Sequence, residues 1–334
     1  MPPERLLEML DRIPRVQLGF FPTPLHRAVN LGESLGLKEL WMKRDDLTGV
    51  EFGGNKTRKL EFAVADALQN RCDTLVTVGA VQSNSCRQTA AAAAKYGLRC
   101  ILLLAGQQPE TLQGNLLLDT LLGAELKFYP DDDFMSLTQR LPTVIETLEE
   151  LGLKPYALPA GVFTPLGSLG YVAAMKELRE QMDKVGFYPE RIVTATSTGG
   201  TLAGMIVGAK AYDIDAEIIA YSVLDDEATL SSRVLGMVSR IVKEYPGIVE
   251  PFEPNFTVDD RFLGAGYGVI EEGVKSAIRM FAKNEGVFLD PVYTAKSGLG
   301  LMRMALSGEV DRDTPVLYWH TGGQPALFAY ASEL

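Results

Sequence analysis

Residues 73–106 read DTLVTVGAVQSNSCRQTAAAAAKYGLRCILLLAG, and this stretch decides the fold. An apolar, β-branched run (TLVTVGA) passes through a short polar turn into an alanine-rich helical pattern, and a second apolar run (RCILLLAG) follows. A strand exposed on one face alternates polar and apolar residues, whereas strands covered by helices on both faces are apolar throughout, as in parallel sheets. Working outward, ETLQGNLLLDTLLG and ELKFYP supply the next helix and strand. A second series follows a loop around Pro159 to Gly170: a helix near Tyr171 to Val185, a strand at RIVTATS, a helix from Gly200, a strand at EIIAYSVL and a helix from Asp226. GVFLDPVY and PVLYWHTGG read as further strands, with helices near Gly268 to Asn284 and Gly298 to Leu306. The expected class is α/β with two units, each an open, mostly parallel sheet flanked by helices, and with ligands bound in the cleft between them at strand carboxyl ends.

Length and composition agree. The chain has 334 residues, a prior of about two domains. Its 46% apolar content is enough for sizeable cores. The formal charge of −11 argues against nucleic acid and anionic membrane as partners. The two histidines, His26 and His320, exclude a multi-histidine metal site, and Cys72, Cys86 and Cys100 lack zinc-binding spacing, so no metal is expected. An odd, sparse cysteine set suits a reducing compartment. The opening MPPERLLEML lacks the apolar core of a secretory leader, and no run is long and uncharged enough to span a bilayer. The expected location is cytoplasmic.

Several stretches carry chemistry. In KRDDLTGVEFGGNKTRKLEF (residues 43–62), paired glycines precede Asn55 and Lys56. If Lys56 opens a helix, the helix dipole and the neighbours Arg58 and Lys59 all lower its pKa, as a Schiff-base amine requires. A basic loop capping a helix explains the same residues. The turn Gln82-Ser83-Asn84, between strand and helix, either presents oxygens and amides to an anion or simply caps the helix. ATSTGGTLAG (195–204) offers amides and the hydroxyls of Ser197, Thr198 and Thr201 to one phosphate, and it is neither a Walker loop nor a dinucleotide fingerprint. Tyr267 in LGAGYG and Tyr293 in LDPVYTAKSG are loop phenols able to reach a ligand as proton donors. His320 reads as a core or supporting histidine, and Cys86 as a small buried residue.

Taken in order, GGNKTRKLEF, VQSNSCRQTAAAAAK, TSTGGTLAG and DPVYTAK followed by HTGG resemble the family of pyridoxal-phosphate enzymes that contains D-cysteine desulfhydrase and 1-aminocyclopropane-1-carboxylate deaminase. The resemblance runs from PTPL at Pro22 to the C-terminal tail. It implies the two-domain tryptophan synthase β-like fold (fold type II), with pyridoxal 5'-phosphate in the cleft, a larger domain of residues 1–56 plus 168–334 and a smaller one of 57–167. Under this resemblance, Lys56 is the Schiff-base lysine beside Asn55, and Asn84 lies near the cofactor's 3′-oxygen. Ser83 with the adjoining amides holds the substrate carboxylate, and is also the position proposed as nucleophile or proton carrier in the deaminase. The loop Ser197, Thr198, Gly199, Gly200 and Thr201 holds the phosphate, Tyr267 and Tyr293 face the substrate, and Lys59 is a second active-site lysine.

Two departures separate the branches. Thr294 stands where the deaminase pattern has a Glu near the pyridine nitrogen, and a hydroxyl does not keep that nitrogen protonated as a carboxylate does. Ser85 stands at a substrate-bordering position where the desulfhydrase branch carries His and the deaminase branch Gln. The resemblance therefore implies a homodimeric lyase for a small amino-acid substrate, most simply converting D-cysteine to pyruvate, ammonium and sulfide. The alternatives are L-cysteate sulfo-lyase, then the cyclopropane deaminase, then a non-catalytic binding protein.

Overall fold

The computed structural model describes residue 10 and residues 12–334. The opening stretch, whose composition argued against a leader, lies almost wholly outside the described residues. In chain order the elements are β1 (Leu25–Arg27), α1 (Val29–Leu35), β2 (Leu40–Arg44), α2 (Asn55–Gln69), β3 (Thr74–Ala80), α3 (Asn84–Tyr96), β4 (Arg99–Ala105), α4 (Gly114–Leu121), β5 (Glu125–Tyr129), α5 (Phe134–Glu150), β6 (Pro155–Leu158), α6 (Pro165–Val185), β7 (Arg191–Thr196), α7 (Gly200–Ala211), β8 (Glu217–Ser222), α8 (Glu227–Glu244), β9 (Phe256–Asp259), α9 (Glu272–Glu285), α10 (Thr294–Ser307), β10 (Val316–His320) and α11 (Ala326–Ala329).

The strands form two sheets. A four-stranded sheet in the order β5-β4-β3-β6 is parallel throughout, with Thr74 opposite Arg99 and Ala80 opposite Ala105. A six-stranded sheet in the order β1-β2-β10-β7-β8-β9 is parallel except for β1. The apolar strands follow from what covers them. Along β4, Leu102 and Leu104 pack with α2 and α3, while Ile101 and Leu103 turn to α5. Along β10, Leu317 and Trp319 join the core under α6 and α7, and Val316 and Tyr318 join the core under α9 and α10. Successive side chains point to opposite faces, so both positions of each pair are buried. No described helix is long and apolar enough to cross a membrane.

Two local expectations fail. Residues 286–293 form no strand, although Val287 and Leu289 are buried and Phe288 between them is 58% exposed. The Asp290 carboxylate takes the backbone N–H groups of Val292, Tyr293 and Thr294, and Pro291 has none to give, so the segment closes as a turn. The loop expected to reach Gly170 ends sooner, because Thr164 caps Gly167 N and Pro165 opens α6.

One buried charge cluster joins α2 to α6 and to the segment after β2. Arg58 on α2 donates twice to Asp45, at 2.9 and 2.7 Å, and reaches Glu177 on α6 at 2.9 Å. Asp45 also accepts from Tyr171 (2.6 Å), Trp319 Nε1 (2.9 Å) and Thr23 (2.9 Å). Lys43 pairs with Glu177 and donates to the Thr23 carbonyl at 2.8 Å. The Arg58 guanidinium outweighs the cost of burial and holds the Asp45 carboxyl down to about 2. Removing one partner strands a buried charge, so Asp45→Ala is expected to cost about 3–5 kcal/mol in denaturant unfolding. Because the carboxyl's folded value lies below its unfolded one, the stabilisation is present above pH 4 and is lost as pH falls towards 2. A loss under 1 kcal/mol would show that the cluster does not hold α2 in place.

Candidate active site

The site forms where three helix starts meet strand ends. Gly54 precedes α2 at φ 125°, a conformation closed to other residues, and a side chain there would strike Gln88 at 2.6 Å. Asn55 N donates to the Thr321 carbonyl (2.9 Å) just past β10, which fixes the start of α2. Lys56 Nζ donates to Asn55 Oδ1 (3.1 Å), and Asn55 Nδ2 donates to Thr201 Oγ1 (3.1 Å) in α7. Burial lowers the Lys56 amine to about 8, opposed by the Asp290 charge. Arg58 does not contribute as expected, because its guanidinium turns away into the Asp45 cluster. Lys59 is itself held well below its usual range by burial and by Lys56.

A cavity opens beside Lys56. It is lined by Asn55, Ser83, Asn84, Ser85, Ser197, Thr198, Gly199, Thr201, Tyr267 and Tyr293, all anticipated from sequence. Ser83 is also the cap of α3, accepting from Cys86 N at 3.2 Å, so it caps the helix while lining the cavity. The Ser85 hydroxyl is buried without a partner. At α7, Gly199 (φ 92°) places the first helical amides at the loop without any side-chain cap, an arrangement that favours anions. The buried Thr196 hydroxyl beside it also lacks a partner. Across the cavity the Tyr267 and Tyr293 hydroxyls share a 2.5 Å hydrogen bond. Burial pushes both phenols above their ordinary range, so both keep their protons at neutral pH.

Three anticipated residues do not line the cavity. Lys59 donates to the Gly161 carbonyl at 2.6 Å, and its Nζ sits behind Gly200, where a Cβ would lie 2.8 Å from it. Gly200 itself contributes backbone at the start of α7. Thr294 is fully buried, its hydroxyl donating to Asp290 Oδ1 at 2.7 Å and accepting from Asp290 N at 2.7 Å. Asp290, which sequence reasoning passed over inside DPVYT, is pushed up by burial and held back by backbone and Thr294 hydrogen bonds. Phe134 was also missed. It lines the cavity and packs on Tyr267 with ring centres 5.8 Å apart. Lys296 holds the Tyr267 loop through the carbonyls of Leu263 (2.6 Å) and Gly266 (3.2 Å). His320 Nε2 lies 3.0 Å from the Phe288 carbonyl and Nδ1 accepts from Gly322 N, a supporting role.

Comparison with known proteins matches residues 16–322 to the family described as pyridoxal-phosphate dependent enzyme. A 1-aminocyclopropane-1-carboxylate deaminase of Burkholderia vietnamiensis is 39% identical, over 96% of this chain and 98% of its own. A D-cysteine desulfhydrase of Salmonella newport is 38% identical, over 97% and 98%. A crystal structure of an ACC deaminase homologue superposes with a TM-score of 0.89 at 36% identity, over 100% and 98%.

The Lys56 value fixes a pH dependence. The amine's folded value of about 8 lies below its unfolded 10.5, so below pH 8 a buried ammonium opposes folding, and above 10.5 neither state is charged. Lys56→Met in cofactor-free protein is expected to gain about 2 kcal/mol at pH 7, the advantage fading between pH 8 and 10.5. Thermal melts across that range check it, and destabilisation at pH 7 would refute it.

Proposed function

The chain belongs to the pyridoxal-phosphate-dependent enzyme family, and we propose that it is a lyase removing sulfide from D-cysteine, with pyruvate and ammonium as the other products. The observation that carries this is the Lys56 amine, lowered to about 8 by burial, in a cavity between an uncapped helix start and a pair of protonated phenols. Cofactor and site fit. Lys56 would hold the group covalently, and the α7 amides with Ser197, Thr198 and Thr201 would take its phosphate. Asn84 would face its ring oxygen, and Ser83 with the α3 amides would take the substrate carboxylate. When bound, the cofactor supplies an electron sink for the substrate's α-carbon.

The protein's part is orientation and proton handling. Lys56, once its amine is free, is the base for the α-proton. Tyr267 and Tyr293 keep one hydroxyl proton between them and one to donate, so the pair can protonate a leaving thiolate. The elimination product takes up water and gives pyruvate and ammonium, which balances the reaction. The Thr294 hydroxyl is engaged by Asp290, so position 294 offers neither a carboxylate nor a free hydroxyl to the ring nitrogen. A weaker electron sink favours a good leaving group over ring opening. Among the described residues lining the cavity, Lys56 is the only cation, so the sulfonate of cysteate would find no second counter-ion. The cyclopropane deaminase reading is favoured by the names of several relatives and stands second.

The reading extends to a cytoplasmic homodimer, consistent with three unpaired cysteines. It also places the larger domain at 1–56 plus 168–334 and the smaller at 57–167, supported by the strands of each sheet falling within those segments.

Two experiments test the proposal. Protein loaded with pyridoxal phosphate is expected to release sulfide and pyruvate from D-cysteine. Sulfite from L-cysteate or 2-oxobutanoate from the cyclopropane, without sulfide, would reassign the substrate. No product from any of the three would mark a binding protein. Lys56→Ala is expected to lose turnover and the visible band of the bound cofactor. Tyr293→Phe should keep the band and lose about 100-fold in kcat, and an unchanged rate would reduce Tyr293 to packing.

A further inference from the structure

We propose that Asn115, on α4, is a positioning residue that fixes which end of the Asn84 amide faces the cavity. The inference rests on the reading above that Asn84 lies by the cofactor's ring oxygen. Asn115 is fully buried, with Nδ2 2.8 Å from the Gln82 carbonyl and 2.8 Å from Asn84 Oδ1. A backbone carbonyl only accepts, so the Asn115 atom that meets it carries N–H. The Asn84 atom that meets the other N–H must then be its oxygen. Polarity is thus passed from a fixed backbone group through Asn115 to Asn84.

The consequence is that Asn84 Oδ1 is taken and Nδ2 remains. That nitrogen lies beside Gly323, where a Cβ would stand 2.8 Å from it and 2.7 Å from the Asp290 carboxyl carbon, and no described group accepts a hydrogen bond from it. Asn84 also lines the cavity. The same clamp fixes the turn before α3: Asn115 N donates to Gln82 Oε1 at 2.9 Å, and Gln82 Nε2 donates to the Gln113 carbonyl at 3.1 Å. Asn115 Oδ1 is left buried without a partner, which shows that the amide's orientation is set by its nitrogen. Asn84 therefore presents a donor, and a donor favours the deprotonated form of an oxygen facing it.

Absorbance of the protein loaded with pyridoxal phosphate tests this without turnover. Asn115→Leu keeps the size and removes both N–H groups, freeing Asn84 to turn. Asn115→Asp gives the Gln82 carbonyl no donor and accepts from Asn84 Nδ2, which turns Asn84 Oδ1 to the cavity. In both, the pH midpoint of the visible band is expected to rise, by about one unit for Asn115→Asp. Lys56, Tyr267 and Tyr293 face the cavity from α2, the 263–268 loop and the turn before α10, and Asp290, Arg87 and Asp119 lie behind it, in that same turn and on α3 and α4; all are the same in each variant. Asn115→Leu adds no charge, so its shift reads the amide alone. An unmoved midpoint in Asn115→Leu, with unchanged circular dichroism and melting, would overturn the inference. Should that variant fail to fold, Asn115→Ser, which keeps one donor, is read by the same criterion. A wild-type protein that gains no visible band on loading would overturn the placing of the cofactor at Lys56, and this inference with it; a wild-type band whose position does not change between about pH 5 and 10 would overturn this inference alone.

Discussion

The bidentate pair between Arg58 and Asp45 is the constraint on which the site depends. Arg58 follows Lys56 by two residues on α2, a turn of about 200° around the helix, so the two cations face opposite ways. One goes into a sealed cluster with Asp45, Glu177, Tyr171 and Trp319, the other into the cavity. A guanidinium out of water needs acceptors for its donors and matched charge, and this cluster supplies them from Thr23, from Asp45 after β2 and from Glu177 on α6. Once Arg58 is placed, the rotation of α2 is fixed, and Lys56 has no other direction to take.

The cavity draws its electrostatics from the same economy of few charges. Three helix starts converge there, at α2, α3 and α7, and two of them have no side-chain cap. Their amides and dipoles make the site favourable for anions. Burial lowers the Lys56 amine to about 8, so it gives up its proton far more readily than an exposed lysine, beside helix starts whose amides favour anions. The phenol pair and Phe134 close the opposite side with protonated, uncharged groups.

Much of this was legible in the sequence because it is local. Apolar runs marked β3, β4, β7 and β10, and the strand-to-helix turns at Ser83 and Ser197 to Gly200 carried their own cap and glycine signatures. What was not legible is long-range. Arg58 reads as a neighbour of Lys56 until Asp45 and Glu177 are seen to claim it. Asp290 lies in a motif noticed for its tyrosine, and its role as acceptor for three backbone amides depends on the turn it makes. That turn also explains why alternating residues 286–289 form no strand, since alternation reports burial and not pairing. By resemblance Thr294 stands at the cofactor's ring nitrogen and Lys59 at the substrate, and packing sets both behind the cavity wall.

The central claim, that Lys56 and no other buried lysine carries the cofactor, is tested by reducing the loaded protein with borohydride and locating the adduct by peptide mass mapping. The account predicts a single pyridoxyl group on Lys56. A modification on Lys59, Lys43 or Lys296 would contradict it.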